Sequence, residues 1–407
     1  MPSTVTWLAH SDSERRKVLE IIERFKERDT RDELGLGSIR DAIAELLSPG
    51  TSTIQTRPRY FLFIPWIYRQ VESQGPRSMR AGERARRAEI ELIDILANSA
   101  DSDGAIGRFA GNKLKRLPSA IYWSGLASWG IRLFHGSREQ YHQWLDLGGP
   151  QNLLDGLEAD DAESPVDRAP GAWHPGLPEP PEDFPNGTSL ALRSIESDYL
   201  AERIRRRHPG TMLDFLAAQP KTWAPVSFPW EHPQVGALPE AVREQLRHGR
   251  CFSEAAHGAA LLYNLMLAQE IENDGWETGY QDRLAEWATR IEQRLGELRS
   301  WDRPRFWEIA YSGGSRITPQ THHFVEQWLD LVTTGDASAL SNNSQARSLI
   351  LQRERQLKRG QARLGNRRAL ELWGGEAGTA QLSYRWGTTQ QHAIDIIEGR
   401  ASGQGNA

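Results

Sequence analysis

A single cysteine, Cys251, stands in 407 residues, so no disulfide can form within the chain and no zinc site can be built on thiolates. Lysine is nearly as scarce. Of the 49 basic residues 43 are arginine, the side chain whose planar fork suits carboxylates and phosphates. No apolar run approaches the roughly 18 residues of a membrane-crossing helix, and Met1-Pro-Ser-Thr-Val-Thr-Trp7 lacks the basic and apolar regions of a signal peptide. A soluble, cytoplasmic protein without membrane contact is the expectation. The net charge of −5 argues against a wholly basic nucleic-acid coat, which leaves the distribution of charge as the informative quantity.

What the chain has in excess is tryptophan, with fifteen residues, and apolar positions at helical spacing. The densest block is Tyr60–Tyr68, where only Pro65 interrupts a run of large apolar side chains. Neither a two-residue nor a 3.6-residue period fits it, so it must be buried on all sides. Because proline lacks an N–H and disfavours a helical residue before it, the block predicts an extended approach through Phe63 and a helix opening at Pro65. Arg57, Arg59 and Arg69 flank it, either as the rim of a cationic pocket or as arginines snorkelling from the core entry.

Around this block the periodicity predicts a mainly α, multi-helix protein of two domains. Residues 1–150 form the first, with helices over 11–30, over 38–47 capped by Ser38, over 82–98, and from Ser137. Residues 151–187, with Asp155, Glu158, Asp160, Asp161, Glu163 and Asp167 followed by seven prolines, read as a linker, and Trp173 and Phe184 imply that it lies along a surface. Residues 188–400 form the second domain, with helices over 190–207, 212–219, 239–248, 253–272, 280–298, 318–332, 341–364 and 388–398. The apolar 255–268 segment lies at its centre, and residues 401–407 form a disordered tail.

Several clusters invite a chemical reading. Asp29, Asp32 and Glu33 beside Arg31 are paired carboxylates suited to acid/base work, or a solvated ion-pair turn. With Arg57 and Arg59 they are the polar group on which an enzyme of unrecognised type would rest. His135, Glu139 and His142 lack a fourth ligand, and His322 and His323 face different sides of one helix, so no metal site is assigned. His257, on the apolar 255–268 helix, reads as a buried histidine bonded to a carbonyl. No catalytic residue and no cofactor are assigned.

Two basic groups remain. Residues 104–131 have the layout of a helix-turn-helix unit, with a short Gly-bounded helix, a basic turn and a third helix opening at Pro118. That third helix is apolar nearly all round, so Arg108, Lys113, Lys115 and Arg116 suit phosphates better than bases. The glycines at 104, 107 and 111 are no phosphate loop, since the lysine-Ser/Thr pair is missing. Between Ser344 and Leu370, Arg347, Arg353, Arg355, Lys358, Arg359, Arg363, Arg367 and Arg368 stand against Glu354 alone. Such a stretch reads either as a solvated face or as a footprint for phosphates, those of DNA included, or for an acidic partner.

Asp29-Thr-Arg-Asp-Glu-Leu-Gly35, the block Thr51-Ser-Thr-Ile-Gln-Thr-Arg57 with Arg59-Tyr-Phe-Leu-Phe-Ile-Pro-Trp-Ile-Tyr68, Leu117-Pro-Ser-Ala-Ile-Tyr-Trp123 and Tyr384-Arg-Trp386 together resemble an uncharacterised bacterial family of about 400-residue proteins. The resemblance spans the whole chain and carries no established activity or catalytic residues. It implies an accessory part in a nucleic-acid-directed, anti-phage type defence system, and the leading expectation for the chain is a non-enzymatic, mostly α-helical subunit that binds a protein partner and touches nucleic acid through its arginines.

Overall fold

The computed structural model describes residues 32–99, 101–149 and 171–404. The helix expected over 11–30, Asp29, Arg31, the acidic part of the linker and residues 405–407 lie outside them. In chain order the described α-helices are α1 (Gly37–Leu47), α2 (Tyr60–Ser73), α3 (Ala81–Ala97), α4 (Pro118–Ser128), α5 (Arg138–Asp146), α6 (Ser194–Arg207), α7 (Met212–Ala217), α8 (Glu240–Glu270), α9 (Asp274–Arg299), α10 (Arg303–Ser312), α11 (Pro319–Thr334), α12 (Ser344–Lys358), α13 (Arg367–Leu370) and α14 (Trp386–Gln404). The protein is mainly α; among the described residues the one β feature is an isolated antiparallel bridge between Arg132 and Trp173. No described helix is long and apolar enough to cross a membrane.

The described residues fall into two compact units. Those of Met1–Ile43 with Glu244–Tyr384 form unit I, and those of Ala44–Arg243 with Arg385–Ala407 form unit II. Each unit therefore joins segments far apart in the chain, whereas the sequence reading places consecutive domains on either side of residues 151–187.

Unit II is built around α2. Every residue from Tyr60 to Tyr68 is buried, as the run demands, but the helix opens at Tyr60 and Pro65 lies inside it. An interior proline costs a helix about 3 kcal/mol, and here burial on all sides outweighs it. The preceding chain is already coiled, with Tyr60 N–H donating to Arg57 O and Phe61 N–H to Pro58 O, so the helix starts before the proline can set its boundary. Phe61 stacks on Trp129 at 3.8 Å, and Trp66 Nε1 donates to Pro178 O at 2.7 Å. Trp129 Nε1 donates to Pro49 O, and Tyr122 Oη to Arg57 O. Trp66, Trp129 and Tyr122 thus each fill the core with the body of the ring and tie down a loop carbonyl with its polar atom.

The second part of the expected linker belongs to this core. Trp173 and Phe184 are buried, Leu133 N–H donates to Ala172 O, and Trp173 Nε1 donates to Glu72 and to Tyr141 Oη. Prolines exclude helix and sheet there, yet they leave the chain free to be pinned by side chains. The short Gly-bounded helix of the helix-turn-helix layout is replaced by turns and a single 3-10 turn, Gly111–Lys113, while the helix at Pro118 forms as expected. At the other end α14 continues to Gln404, past the point where a disordered tail was expected.

In unit I the segment 255–268 is the buried centre of one long helix, α8. Gly249 does not divide it, because the missing side chain makes room for Tyr384, whose ring would lie 3.0 Å from a Cβ there. Gly258 allows α9 to approach, since a Cβ would fall 2.3 Å from the Trp287 ring. Helix α10, unanticipated, has legible signals in Asp302, which accepts from Arg305 N–H, and Pro304 in the first turn. Ser38 is not the cap of α1: Asp32 accepts from Leu36 and Gly37 N–H at 2.6 and 2.7 Å.

Candidate functional site

Helix α12 forms because Asn343 caps it, accepting from Ala346 N–H at 2.9 Å, and because Ala346, Ile350, Arg353 and Glu354 make one inward stripe. It ends at Arg359, whose φ of 51° is left-handed, so the long helix expected over 341–364 stops at Lys358. The stripe carries two charged residues into the interior, and this divides the eight basic residues into two classes.

The lone acid of the stretch organises the first class. Glu354 is fully buried and accepts from Tyr263 Oη at 2.5 Å, Arg363 N–H at 2.9 Å, Leu364 N–H at 3.0 Å and Lys358 Nζ at 3.2 Å. Burial pushes its pKa up, but these bonds outweigh it and hold the carboxyl below its ordinary value. Lys358 also pairs with Glu33, and Arg363 donates to Glu33 at 2.9 Å. Arg347 donates to Ser341 O and Gln269. Arg353, 3 % exposed, donates to Leu34 O, Gly35 O, Thr321 Oγ1 and Gln356. These four side chains hold the fold, so they form no solvated face.

The second class is Arg355, Arg359, Arg367 and Arg368, all exposed. Arg367 meets Glu371 at 3.5 Å, and the other three have no hydrogen-bond or ion-pair partner among the described residues. In unit II, Arg108 is committed to Asp103 at 2.6 Å and lies over the Phe109 ring, whereas Lys113, Lys115 and Arg116 are exposed on the turns before α4.

Asp32 and Glu33 line one cleft of unit I, and each is committed to partners of its own. Glu33 belongs to Lys358 and Arg363, and Asp32 is spent on α1. Arg57 donates to Asp395 at 2.5 Å, and Arg59 pairs with the fully buried Glu196 at 2.9 Å. A cleft of about 60 Å³ in unit I is lined by Asp32, Glu33, Arg40, His257 and Tyr263, room for a few waters. His257 shares a hydrogen bond with Thr379 O at 3.0 Å, and burial lowers its pKa to about 4, so it is neutral near pH 7. His142 is bonded to Tyr68 Oη, while His135 and Glu139 are exposed. Burial pushes the Cys251 thiol up to about 12, which leaves it a poor nucleophile.

Sequence reasoning passed over the buried ionisable residues of unit II. Glu89 is 1 % exposed and accepts from both N–H and Oγ of Ser119 at the opening of α4; burial raises its pKa to about 7. Its signal was present, since Glu89, Ile93 and Leu96 share one face of α3. His392 is fully buried, edge-to-face with Phe61 and Trp129, and burial lowers its pKa to about 3.

The class so defined is a mainly α-helical protein whose interior is tied together by arginine and carboxylate networks and which keeps a strip of exposed arginines. The Family of unknown function (DUF6361) matches residues 2–399, and the chain belongs to that family, in keeping with the resemblance carried by its motifs. No curated protein and no solved structure matches it.

Proposed function

We propose that the protein is a cytoplasmic, non-enzymatic accessory subunit that binds a protein partner and contacts nucleic acid, DNA included, through exposed arginines of unit I. The observation that carries this is the remainder left after internal pairing: Arg355, Arg359, Arg367 and Arg368 stay exposed within fourteen residues, three of them with no anionic partner among the described residues. Exposed guanidinium groups at this density bind phosphates by releasing condensed counterions. Lys113, Lys115 and Arg116 offer a second, smaller set of phosphate contacts in unit II. Leu357 within the arginine stretch and Leu372 just after it, 42 % and 80 % exposed, add apolar surface of the kind that a protein partner covers. The defence setting rests on the family resemblance alone.

The test is the salt dependence of binding to labelled DNA and RNA. Four phosphate contacts give a slope of log affinity against log salt of about −3 to −4, well short of the value eight contacts would give. Replacing Arg355, Arg359, Arg367 and Arg368 with glutamate is expected to abolish binding and leave the melting temperature nearly unchanged. Wild-type protein that binds neither DNA nor RNA in a salt-sensitive way overturns the nucleic-acid reading, and an acidic protein surface becomes the ligand to seek.

A further inference from the structure

Between α11 and α12, within unit I, runs a groove of about 450 Å³. Its walls are nearly free of charge in a chain where 25 % of residues are charged. Gln320, His323 and Gln327 face it from α11, and Gln352 and Gln356 from α12, all of them exposed. The spacings 320, 323, 327 and 352, 356 put each row on one helical face. Of these five side chains only Gln356 has a hydrogen-bond partner among the described residues, accepting from Arg353 Nη1 at 3.1 Å. The rest present donors and acceptors to the groove with nothing to meet them.

The floor carries a buried cation. The Arg353 guanidinium lies over the Phe324 ring at 5.1 Å and reaches two backbone carbonyls, a hydroxyl and an amide, with no carboxylate in ion-pair distance among the described residues. Of a guanidinium's five N–H groups these bonds use four, which leaves one on Nη1, the nitrogen that bonds the groove residue Gln356. The direct hydrogen bonds of this guanidinium all go to neutral acceptors, with the Asp32 carboxylate acting on it from beyond ion-pair distance, so it sets a positive potential over the groove. Arg355 and Arg359 follow Gln352 and Gln356 by three residues each in the chain and are exposed, Arg355 on α12 and Arg359 at the residue that ends it.

We infer that this groove holds single-stranded nucleic acid, with the glutamine amides meeting base edges, Arg355 and Arg359 holding phosphates, and buried Arg353 lending positive potential to the floor. The inference rests on the reading that the exposed arginines contact phosphates, and it adds what lies between those contacts. An amide pairs one donor with one acceptor, the pattern that base edges display. A duplex turns its pairing edges inward, and a groove of this size accepts one or two splayed nucleotides at most. The neutral walls match bases as the flanking cations match the backbone.

Full-length protein is titrated with four probes: a mixed-sequence DNA strand, an abasic strand of equal length, the corresponding duplex, and polyglutamate. Wild type is expected to bind the base-bearing strand about tenfold tighter than the abasic one and tighter than the duplex. The exposed triple variant Gln320→Ala, Gln327→Ala, Gln352→Ala should erase that ratio and leave the salt slope unchanged, whereas Arg355→Glu with Arg359→Glu should weaken both strands alike and flatten the slope. If wild type binds abasic and base-bearing strands equally, or the triple variant keeps the ratio, the groove inference falls while the arginine reading stands. Salt-insensitive binding, or none, for every strand removes the arginine reading and the inference with it. Polyglutamate binding without strand binding makes an acidic peptide the occupant and overturns it too.

Discussion

The apolar block Tyr60–Tyr68 and the basic stretch 344–370 are the two most biased segments of the chain, and they behave differently on folding. Every side chain of the first is buried, as composition alone requires, because a large apolar group has one favourable environment. The second is divided. Arg347, Arg353, Lys358 and Arg363 turn inward to hold carbonyls and carboxylates, while Arg355, Arg359, Arg367 and Arg368 stay in solvent. A cation is satisfied by water, by a carbonyl or by an acid, and the partner that decides the matter, Glu33, lies 325 residues before Lys358.

The largest test of this contrast is Trp66→Ala, expected to cost about 3–5 kcal/mol through the lost ring and the cavity it leaves, with the bond to Pro178 O lost as well. Chemical denaturation reads the loss directly, and a variant as stable as wild type would mean the block is not the core of unit II. Glu354→Gln comes next, at about 3 kcal/mol, since removing one member of a buried ionic network leaves the others unpaired. Its pH dependence has a definite sign. The folded carboxyl lies below its ordinary value of 4.5, so its stabilisation is fully present above that pH and is lost as pH falls through the folded pKa. The gap between wild type and variant should therefore narrow on acidification below about pH 4.5, and a gap that widens would contradict the assignment. The smallest effect belongs to Arg355→Ala with Arg359→Ala, within about 0.5 kcal/mol of wild type. A larger loss of stability would move these two arginines into the structural class and shrink the candidate surface.

Much of the fold was legible. Caps and apolar periodicity placed most helices within a few residues, the 255–268 segment was read as buried although its helix was expected to begin only at 253, and His257 was read as a histidine bonded to a carbonyl. Errors cluster where a local rule met a tertiary one. Pro65 should have opened a helix and instead lies inside one, because the residues on both sides of it are packed. Of the linker expected over 151–187, with Trp173 and Phe184 along a surface, residues 171–187 are described, and there both aromatic residues are buried in the core of unit II. Glu89 and His392 were missed because a polar residue among apolar ones is ordinarily assigned to the exposed face, and only packing reveals that these two have none.

The sequence by itself determined the helical class, the burial of the aromatic block and the concentration of arginine near residues 344–370, since each follows from composition and spacing that no partner can change. The tertiary structure decided which arginines are free, which segments join into a unit, and that glutamines on two helices share a groove. Those outcomes depend on contacts between residues tens to hundreds of positions apart, and a linear pattern carries no record of which distant carboxylate or carbonyl will be brought within 3 Å of a given guanidinium.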